Sequence, residues 1–403
     1  MPAMPDMTAA GSERAIGRAI VLVGAGMVAA LNVGKLPPAL PVLQQEFGLS
    51  LVQVSWMVSL FLAGSALLGL VGGSLADRFD PRRVMIGGLA LSAATGALGA
   101  AAPGAPVLFL SRALESVAFM LTVLPAPALL RQVVPGASLR GWLGVWATYM
   151  PTGMGIALLV APALMAVAGW RGVWAFCAAV AAAWALLVAA TQPRRATQAA
   201  TPAPIGAVAL ATLRSRGPWL LALCFGFYAG QFTGIFSFLP SVYAEYGVSA
   251  QLGASLTALA VLSNGGGGLA AGLLLQRGVD RASLVVLVGI TMAVCAWLAF
   301  GSGLAFGWRY AAIVVLSTVG GLIPGALFAT APFYAPSIAA VSTTVGLMQQ
   351  GSGVGQILLP PAIAALAQYT GGWSSTWIAT GAAALVTVAL GLMIRRYDAV
   401  RPR

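Results

Sequence analysis

Leu40-Pro41, followed by Glu46-Phe47-Gly48-Leu49-Ser50, is a pattern that occurs twice in the chain and reveals how the chain is organised. The second copy is Leu239-Pro240, followed by Glu245-Tyr246-Gly247-Val248-Ser249, at an offset of 199 residues. The other pairs that recur in the same order are Gly73 with Arg78 as Gly272 with Arg277, and Trp170 with Trp174 as Trp373 with Trp377. These matches indicate that the chain consists of two related halves.

The amino-acid composition places both halves in a membrane. Of 403 residues, 60% are hydrophobic and only 7% are charged, and the mean hydropathy is +0.93. A soluble domain has roughly 25% charged residues. The apolar runs are longer than the strands of a membrane barrel, and a helix satisfies all of its own backbone groups in lipid. The sequence therefore predicts an all-α membrane protein.

Charges, prolines and glycine clusters divide the chain into twelve apolar segments, each near the roughly 20 residues that cross a bilayer. The predicted helices lie near 18–38, 51–73, 84–102, 106–130, 141–166, 170–190, 218–240, 251–275, 282–303, 309–332, 342–368 and 374–394. Most arginines then fall on one side, against Lys35, Arg171 and Arg309 toward the other. Because cationic loops stay in the cytoplasm, both termini are predicted to be cytoplasmic.

The longest polar stretch, 191–217, separates two apolar blocks of similar size and is interpreted as a cytoplasmic linker. The predicted organisation is a cytoplasmic tail at 1–17, a six-helix bundle at 18–190, this linker, a second six-helix bundle at 218–394 and a cytoplasmic tail at 395–403. Two bundles in the same orientation form a parallel repeat, which places a substrate site between them near the middle of the bilayer.

The net charge of +12 would suggest a nucleic-acid partner in a soluble protein, but here the arginines lie in short loops and indicate topology. Cys177, Cys224 and Cys295 lie within apolar runs, and the chain has no histidine. Disulfides, histidine-ligated metals and cofactors are therefore not expected. The first apolar run lacks a convincing cleavage site and is interpreted as a helix, not as a signal peptide.

The loop after the second predicted helix, Gly73-Ser74-Leu75-Ala76-Asp77-Arg78-Phe79-Asp80-Pro81-Arg82-Arg83, resembles the G-x-L-A-D-R-x-G-x-R-R signature of the major facilitator superfamily. The resemblance implies a secondary transporter that works by alternating access, with this cytoplasmic loop as a gate. The gating residues would be Gly73, Asp77, Arg78, Arg82 and Arg83. The other interpretation of these arginines is that they only fix the topology.

Two positions depart from the signature. Asp80 stands where the family has glycine, and we expect it to keep a left-handed turn because aspartate tolerates that conformation better than most residues. In the second copy of the loop, Gln276 stands where the aspartate would be. That copy is therefore expected to gate weakly.

The fourth predicted helix carries Arg112 and Glu115 on one face, in a sequence that looks like the family's fourth-helix arginine motif. A charge at the centre of a bilayer costs about 2.5 to 3.5 kcal/mol on insertion scales. Such residues are expected to face a cavity or a partner, so they form either a coupling and binding site or a structural ion pair.

The segment from Asn32 to Pro41, at the end of the first predicted helix, is similar to the first-helix motif of proton-coupled drug exporters. The aspartate of that motif would fall at Asn32. The missing carboxylate argues against standard drug/proton exchange. Lys35, one turn further on, is expected to bind an anionic substrate, to pair with Glu115, or to extend to the outer headgroups.

Three further polar or aromatic residues are candidate cavity-lining residues: Tyr149 in the fifth helix, Gln231 at the repeat position of Asn32, and Gln349 in the eleventh helix. Polar groups in lipid need partners or a watery cavity. With Asn32, Lys35, Arg112 and Glu115, they complete the predicted substrate-binding and coupling site.

The chain has no histidine to act as the base of a nucleophile and no pair of carboxylates within the apolar segments, which argues against an enzyme. It also has no phosphate-binding loop, which argues against an ATP-driven pump. The predicted function is proton-coupled transport of a small organic anion, in which Lys35 and Arg112 attract the anion and Glu115 carries the proton. The alternative is a proton-coupled multidrug efflux antiporter. The expected location is the bacterial inner membrane. The expected partners are a small-molecule substrate, protons and lipid, with no nucleic acid, and the chain is expected to act as a monomer.

Overall fold

The computed structural model describes residues 9–76, 80–193, 205–337 and 340–400, and the regular secondary structure in these ranges is helical. The helices are α1 Ala9–Gly34, α2 Leu36–Phe47, α3 Leu51–Ala76, α4 Pro81–Ala100, α5 Ala105–Val123, α6 Ala126–Val133, α7 Gly136–Ala147, α8 Tyr149–Thr191, α9 Ile205–Arg214, α10 Arg216–Glu245, α11 Ala250–Gln276, α12 Arg281–Ala296, α13 Phe306–Gly320, α14 Leu322–Tyr334, α15 Val341–Thr370 and α16 Thr376–Val400. A π-helical turn, Trp297–Gly301, extends α12.

Nine stretches of helix in the described ranges are long and apolar enough to cross a membrane. One of them, Gly141–Thr191, has 51 residues and bends at Gly169, whose φ is 63°, so it accounts for two crossings. The helices α3 and α15, of 26 and 30 residues, are also long enough to span a bilayer. Together these segments account for the twelve predicted crossings.

Some predicted boundaries differ from the observed ones. Helix α1 already begins at Ala9, within the predicted N-terminal tail, and the predicted linker contains the short helix α9. The first crossing runs on to Phe47 and contains Pro41, whereas the sequence placed its end near residue 38. Pro41 lies inside α2, whereas Pro37 and Pro38 lie in its first turn, where a proline costs little because the first amides of a helix have no intrahelical acceptor.

The repeated stretch has a clear structural reason. Gly48 and Gly247 each follow the end of a helix with left-handed backbone, at φ 62° and 73°. Ser50 and Ser249 then precede the next helix, and their hydroxyls accept the main-chain N–H three residues further on at 3.2 and 3.4 Å. In each half this sequence therefore ends one crossing and begins the next.

The repeated tryptophans meet the repeated glutamates. In the first half, Trp170 Nε1 donates to Glu46 Oε2 at 2.7 Å. In the second half, the main chain at Trp373 donates to Glu245. A glutamate–tryptophan contact thus joins the first and last crossings of each six-helix bundle, donated by the indole in the first half and by the main chain in the second.

Asp80 does not form the left-handed turn that the sequence suggested. Its φ and ψ are −57° and 113°, and its carboxylate caps α4 by accepting the N–H of Arg82 at 3.1 Å. Asp280, at the matching place in the second half, caps α12 by accepting the N–H of Ser283 at 2.9 Å. The expectation was wrong because an N-cap residue needs extended backbone and an acceptor, and aspartate provides both.

Most pairs of packed helices lie within a bundle, but the contact of α3 with α15 between the bundles is among the most extensive in the described structure. Within the first bundle, α1 and α4 pack on α8, and α4 packs on α5; within the second, α10 packs on α15, and α12 on α16. The bundles meet through α3 against α15, α8 against α11 and α2 against α10. At one of these contacts, Ser59 Oγ donates to the carbonyl of Ile357 at 2.9 Å.

Replacing Gly48 tests the structural role of the repeated turn. An alanine there has open space around its Cβ but must adopt φ 62°, which costs roughly 1–2 kcal/mol in a residue with a side chain. We expect Gly48→Ala to lower the melting temperature in detergent. Gly87→Ala is the matched control, since Gly87 is exposed within α4 and its Cβ also meets open space. An equal loss in both variants would contradict this account of the turn.

Candidate functional site

The site begins where the first crossing is interrupted. Helix α1 ends at Gly34 and α2 begins at Leu36, so Lys35 lies at the junction. Pro37 and Pro38 have no amide hydrogen and cannot donate to the carbonyls four residues earlier. The interrupted helix holds Asn32 and Lys35 facing the interior of the first bundle.

Lys35 is fully buried and has partners on several sides. Its Nζ donates to Asn32 Oδ1 and to Glu115 Oε1, each at 2.7 Å. The same atom lies 4.7 Å from the centre of the Trp174 ring, within the range of a cation–π interaction. The sequence left three interpretations of Lys35 open, and in this structure the side chain pairs with Glu115.

Arg112 holds the other oxygen of the same carboxylate. Its NH1 atom lies 2.5 Å from Glu115 Oε2 and also donates to the main-chain carbonyl of Asn32 at 2.9 Å. Its Nε donates to the carbonyl of Met57 at 3.3 Å, and its guanidinium lies 4.4 Å from the centre of the Phe61 ring. Arg112 therefore joins α1, α3 and α5.

The cluster of Lys35, Arg112 and Glu115 has two positive charges and one negative charge. The three residues are 0%, 1% and 1% exposed. Charges buried in a low-dielectric interior are stable only when they are paired and hydrogen-bonded. The cluster therefore keeps one excess positive charge among apolar helices, held by hydrogen bonds and aromatic faces.

Sequence reasoning missed two residues at this site. Ser92 Oγ accepts a hydrogen bond from Asn32 Nδ2 at 3.1 Å, and the ring of Trp174 covers Lys35. Ser92 gave no signal, because single serines are common in membrane helices. Trp174 was noticed only as part of the repeat, although a tryptophan facing a buried cation is a known stabilising arrangement.

Tyr149 connects to the cluster through a row of aromatic rings. It stacks on Trp146 with ring centres 4.6 Å apart, and its ring centre lies 6.4 Å from that of Phe119. Phe119 in turn lies 5.4 Å from Phe61, which covers Arg112. Tyr149 is partly exposed, so this row of rings leads from the buried cluster toward an open surface.

The second bundle has a polar interior without buried charge among the described residues. Asn264 Nδ2 donates to the hydroxyl of Tyr228 at 2.9 Å, and Thr233 donates to Gln356 Oε1 at 2.8 Å. Gln231 is fully buried, and neither atom of its amide has a hydrogen-bond partner in the described part of the chain. Gln349 is half-buried on α15. These residues do not join the charged cluster.

The predicted gating loop is described only in part. Gly73 lies near the end of α3, while Asp77 and Arg78 lie outside the described residues. Arg82 donates through Nε to the carbonyl of Gln192 at 3.0 Å, and also donates to the carbonyl of Ala189.

The other loop arginine, Arg83, is exposed, with its Nε 3.7 Å from Asp80 Oδ2. In this structure Arg82 therefore anchors the end of α8 within its own bundle. Arg281, the equivalent residue of the second half, likewise binds the last helix, through Asp398 at 2.9 Å.

Comparisons with known proteins agree with this architecture. The family model of the Major Facilitator Superfamily matches residues 22–348. The puromycin resistance protein of Streptomyces alboniger is 31% identical over 147 residues, which are 36% of this chain and 29% of that protein. The multidrug efflux pump LfrA of Mycolicibacterium smegmatis is 32% identical over 128 residues, 32% of this chain and 25% of the relative. The galactose-proton symporter of Escherichia coli K12 is 31% identical over 111 residues, which are 28% of this chain and 24% of the symporter.

These matches cover less than a third of each curated relative, whereas solved structures align over nearly the whole chain. A bacterial homologue of the human lysosomal transporter Spinster, in an inward-facing and occupied conformation, has a TM-score of 0.78 at 16% identity and covers 94% of this chain and 96% of its own. The transporter FucP in the outward conformation has a TM-score of 0.68 at 16% identity, and the alignment covers 94% of this chain and 99% of FucP. With a family model that spans most of its length and this fold, the chain belongs to the major facilitator superfamily, a family of multi-pass membrane transporters.

Proposed function

We propose that the protein couples the transport of a small organic anion to protons by alternating access. The observation that carries this proposal is the buried cluster of two cations, Lys35 and Arg112, around the single carboxylate of Glu115. A proton on Glu115 would neutralise that carboxylate and leave both cations without a charged partner. An incoming anion then restores the pairing, so that proton uptake and anion binding favour each other.

The proposed location is the bacterial cytoplasmic membrane, with both termini in the cytoplasm and the protein acting as a monomer. The distribution of arginines supports this orientation, because cationic loops stay on the cytoplasmic side. In this orientation, Arg82 and Arg281 hold the cytoplasmic ends of the last helix of each bundle. We propose that they keep each bundle rigid while the two bundles move relative to one another.

The first prediction concerns proton flux in proteoliposomes. A panel of small carboxylates and lipophilic cations is supplied as substrate while the internal pH is recorded. We expect carboxylates to drive proton flux in the parent, and Glu115→Gln and Arg112→Ala to lower it at least about tenfold, because each removes one partner of the pairing. Glu13→Gln, which removes an exposed carboxylate at the start of the chain, is the control and should retain the flux.

Folding must be separated from coupling in this test. Glu115→Gln leaves two buried cations without a carboxylate, and breaking a buried pair costs about 3–5 kcal/mol. The double variant Lys35→Gln/Glu115→Gln restores the net charge of the cluster and should recover the melting temperature without recovering proton flux. Full proton flux in the double variant would refute the role of Glu115.

The aromatic row and the curated relatives support a second candidate function, the efflux of lipophilic cations. Two of the similar proteins bear the names of a drug-resistance protein and a multidrug efflux pump. Stacked rings such as Trp146 and Tyr149 can bind flat organic cations. Under this alternative, Tyr149→Ala lowers flux driven by lipophilic cations, while Lys35→Gln leaves it unchanged.

Tyr149→Phe is the matched variant, because it keeps the ring and should keep the flux. If only lipophilic cations drive flux in the parent, and the flux does not depend on Lys35, the efflux function replaces the anion function.

A further inference from the structure

Glu115 occupies a position that another carboxylate could fill. One of its oxygens lies 2.7 Å from Lys35 Nζ and the other lies 2.5 Å from Arg112 NH1, so each cation holds one oxygen. Asn32 supports both cations, since its side-chain oxygen accepts Lys35 and its main-chain carbonyl accepts Arg112. Lys35, Arg112 and Asn32 thus form a clamp around the two oxygens of a planar carboxylate, which in this structure belongs to Glu115.

The surroundings of the clamp restrict what else can enter. Trp174 and Phe61 cover the two cations with apolar faces, and the clamp residues are 0 to 3% exposed. Among the described residues, Ser92 is the polar side chain outside the clamp that bonds to a clamp residue, and it accepts a hydrogen bond from the amide of Asn32. A second charge or a row of hydroxyl groups on the substrate would therefore lack partners, which is costly in a buried site.

The charge of the cluster indicates how many protons accompany each molecule of solute. With Glu115 ionised and the clamp closed on it, the net charge is one positive unit. With one proton on Glu115 and a monovalent carboxylate in the clamp, the net charge is again one positive unit. In the described ranges the buried charged side chains are those of Lys35, Arg112, Glu115 and Arg82. Arg82 lies apart from the cluster, at the start of α4, where it binds the end of α8. The empty and the loaded protein therefore carry the same charge across the membrane.

We propose that the transported solute is a small monovalent organic carboxylate that replaces Glu115 between Lys35 and Arg112, accompanied by one proton, so that transport is electroneutral. The proton comes from water on one side, forms an O–H bond at a carboxylate oxygen of Glu115, and returns to water on the other side when the solute leaves. This inference rests on the proposed function and adds the valence of the solute and the proton ratio.

The test measures accumulation in proteoliposomes, with radiolabelled pyruvate as the monovalent probe and succinate as the divalent one. Potassium gradients with valinomycin set the membrane potential independently of the pH gradient. Electroneutral transport with one proton gives about tenfold accumulation of pyruvate per pH unit. It gives no change with potential, whereas the movement of one net charge would shift accumulation about 50-fold per 100 mV. Succinate uptake should be at least about tenfold slower.

Each result has a distinct meaning. Pyruvate that accumulates with the pH gradient and ignores the potential supports the inference. Accumulation that follows the potential, or equal rates for succinate and pyruvate, overturns the inference but leaves proton-coupled anion transport intact. If no carboxylate accumulates and only lipophilic cations drive proton flux, the proposed function itself fails.

A variant gives an independent readout of the clamp. Glu115→Gln resembles the protonated state, so its clamp is open to an added anion. We expect pyruvate to raise the melting temperature of Glu115→Gln more than that of the parent, while net uptake is lost. Arg131→Gln, which removes an exposed cation on α6, should behave like the parent in both measurements. A Glu115→Gln protein that folds but shows no pyruvate-dependent stabilisation would overturn the clamp.

Discussion

The pairing of Glu115 with two cations is the interaction on which the first bundle depends. Lys35 and Arg112 come from different helices and meet at one carboxylate with less than 2% exposure. In a low-dielectric interior each charge is tolerated only because the others are present, so none of the three can move alone. The pairing therefore fixes the positions of the first and fourth crossings relative to one another.

The two halves of the chain share a fold but not a chemistry. Both halves have the glycine turn, and in both a glutamate contacts a tryptophan residue and an arginine binds the last helix, although different atoms make these last two contacts. These features maintain the shape of each bundle. The buried charge, however, lies in the first half, while the described interior of the second half is neutral and polar. The repeated features thus belong to the scaffold, whereas the buried charge distinguishes the described part of the first half from that of the second.

Close helix packing holds each bundle together. A Cβ on Gly34 or Gly153 would collide with the facing main chain of α8 or α1, and a Cβ on Gly226 or Gly351 would do the same between α10 and α15. In lipid, where the hydrophobic effect does not drive helices together, such close approaches stabilise helix pairs by dispersion and backbone contact. Between the bundles, the hydroxyl of Ser59 donates to the carbonyl of Ile357.

The membrane class, the twelve crossings, the duplication and the candidate residues Asn32, Lys35, Arg112 and Glu115 could be predicted from the sequence alone. Apolar runs, repeated turn residues and rare charges within apolar segments are local signals that need no coordinates. The three-dimensional structure was needed to show that Lys35 pairs with Glu115, that Trp174 and Ser92 contact the cluster, and that Gln231 and Gln349 lie apart from it. It also corrected Asp80, which acts as a helix cap. Pairing between helices depends on their rotation and depth, and in lipid these are set by packing against neighbours far away in sequence.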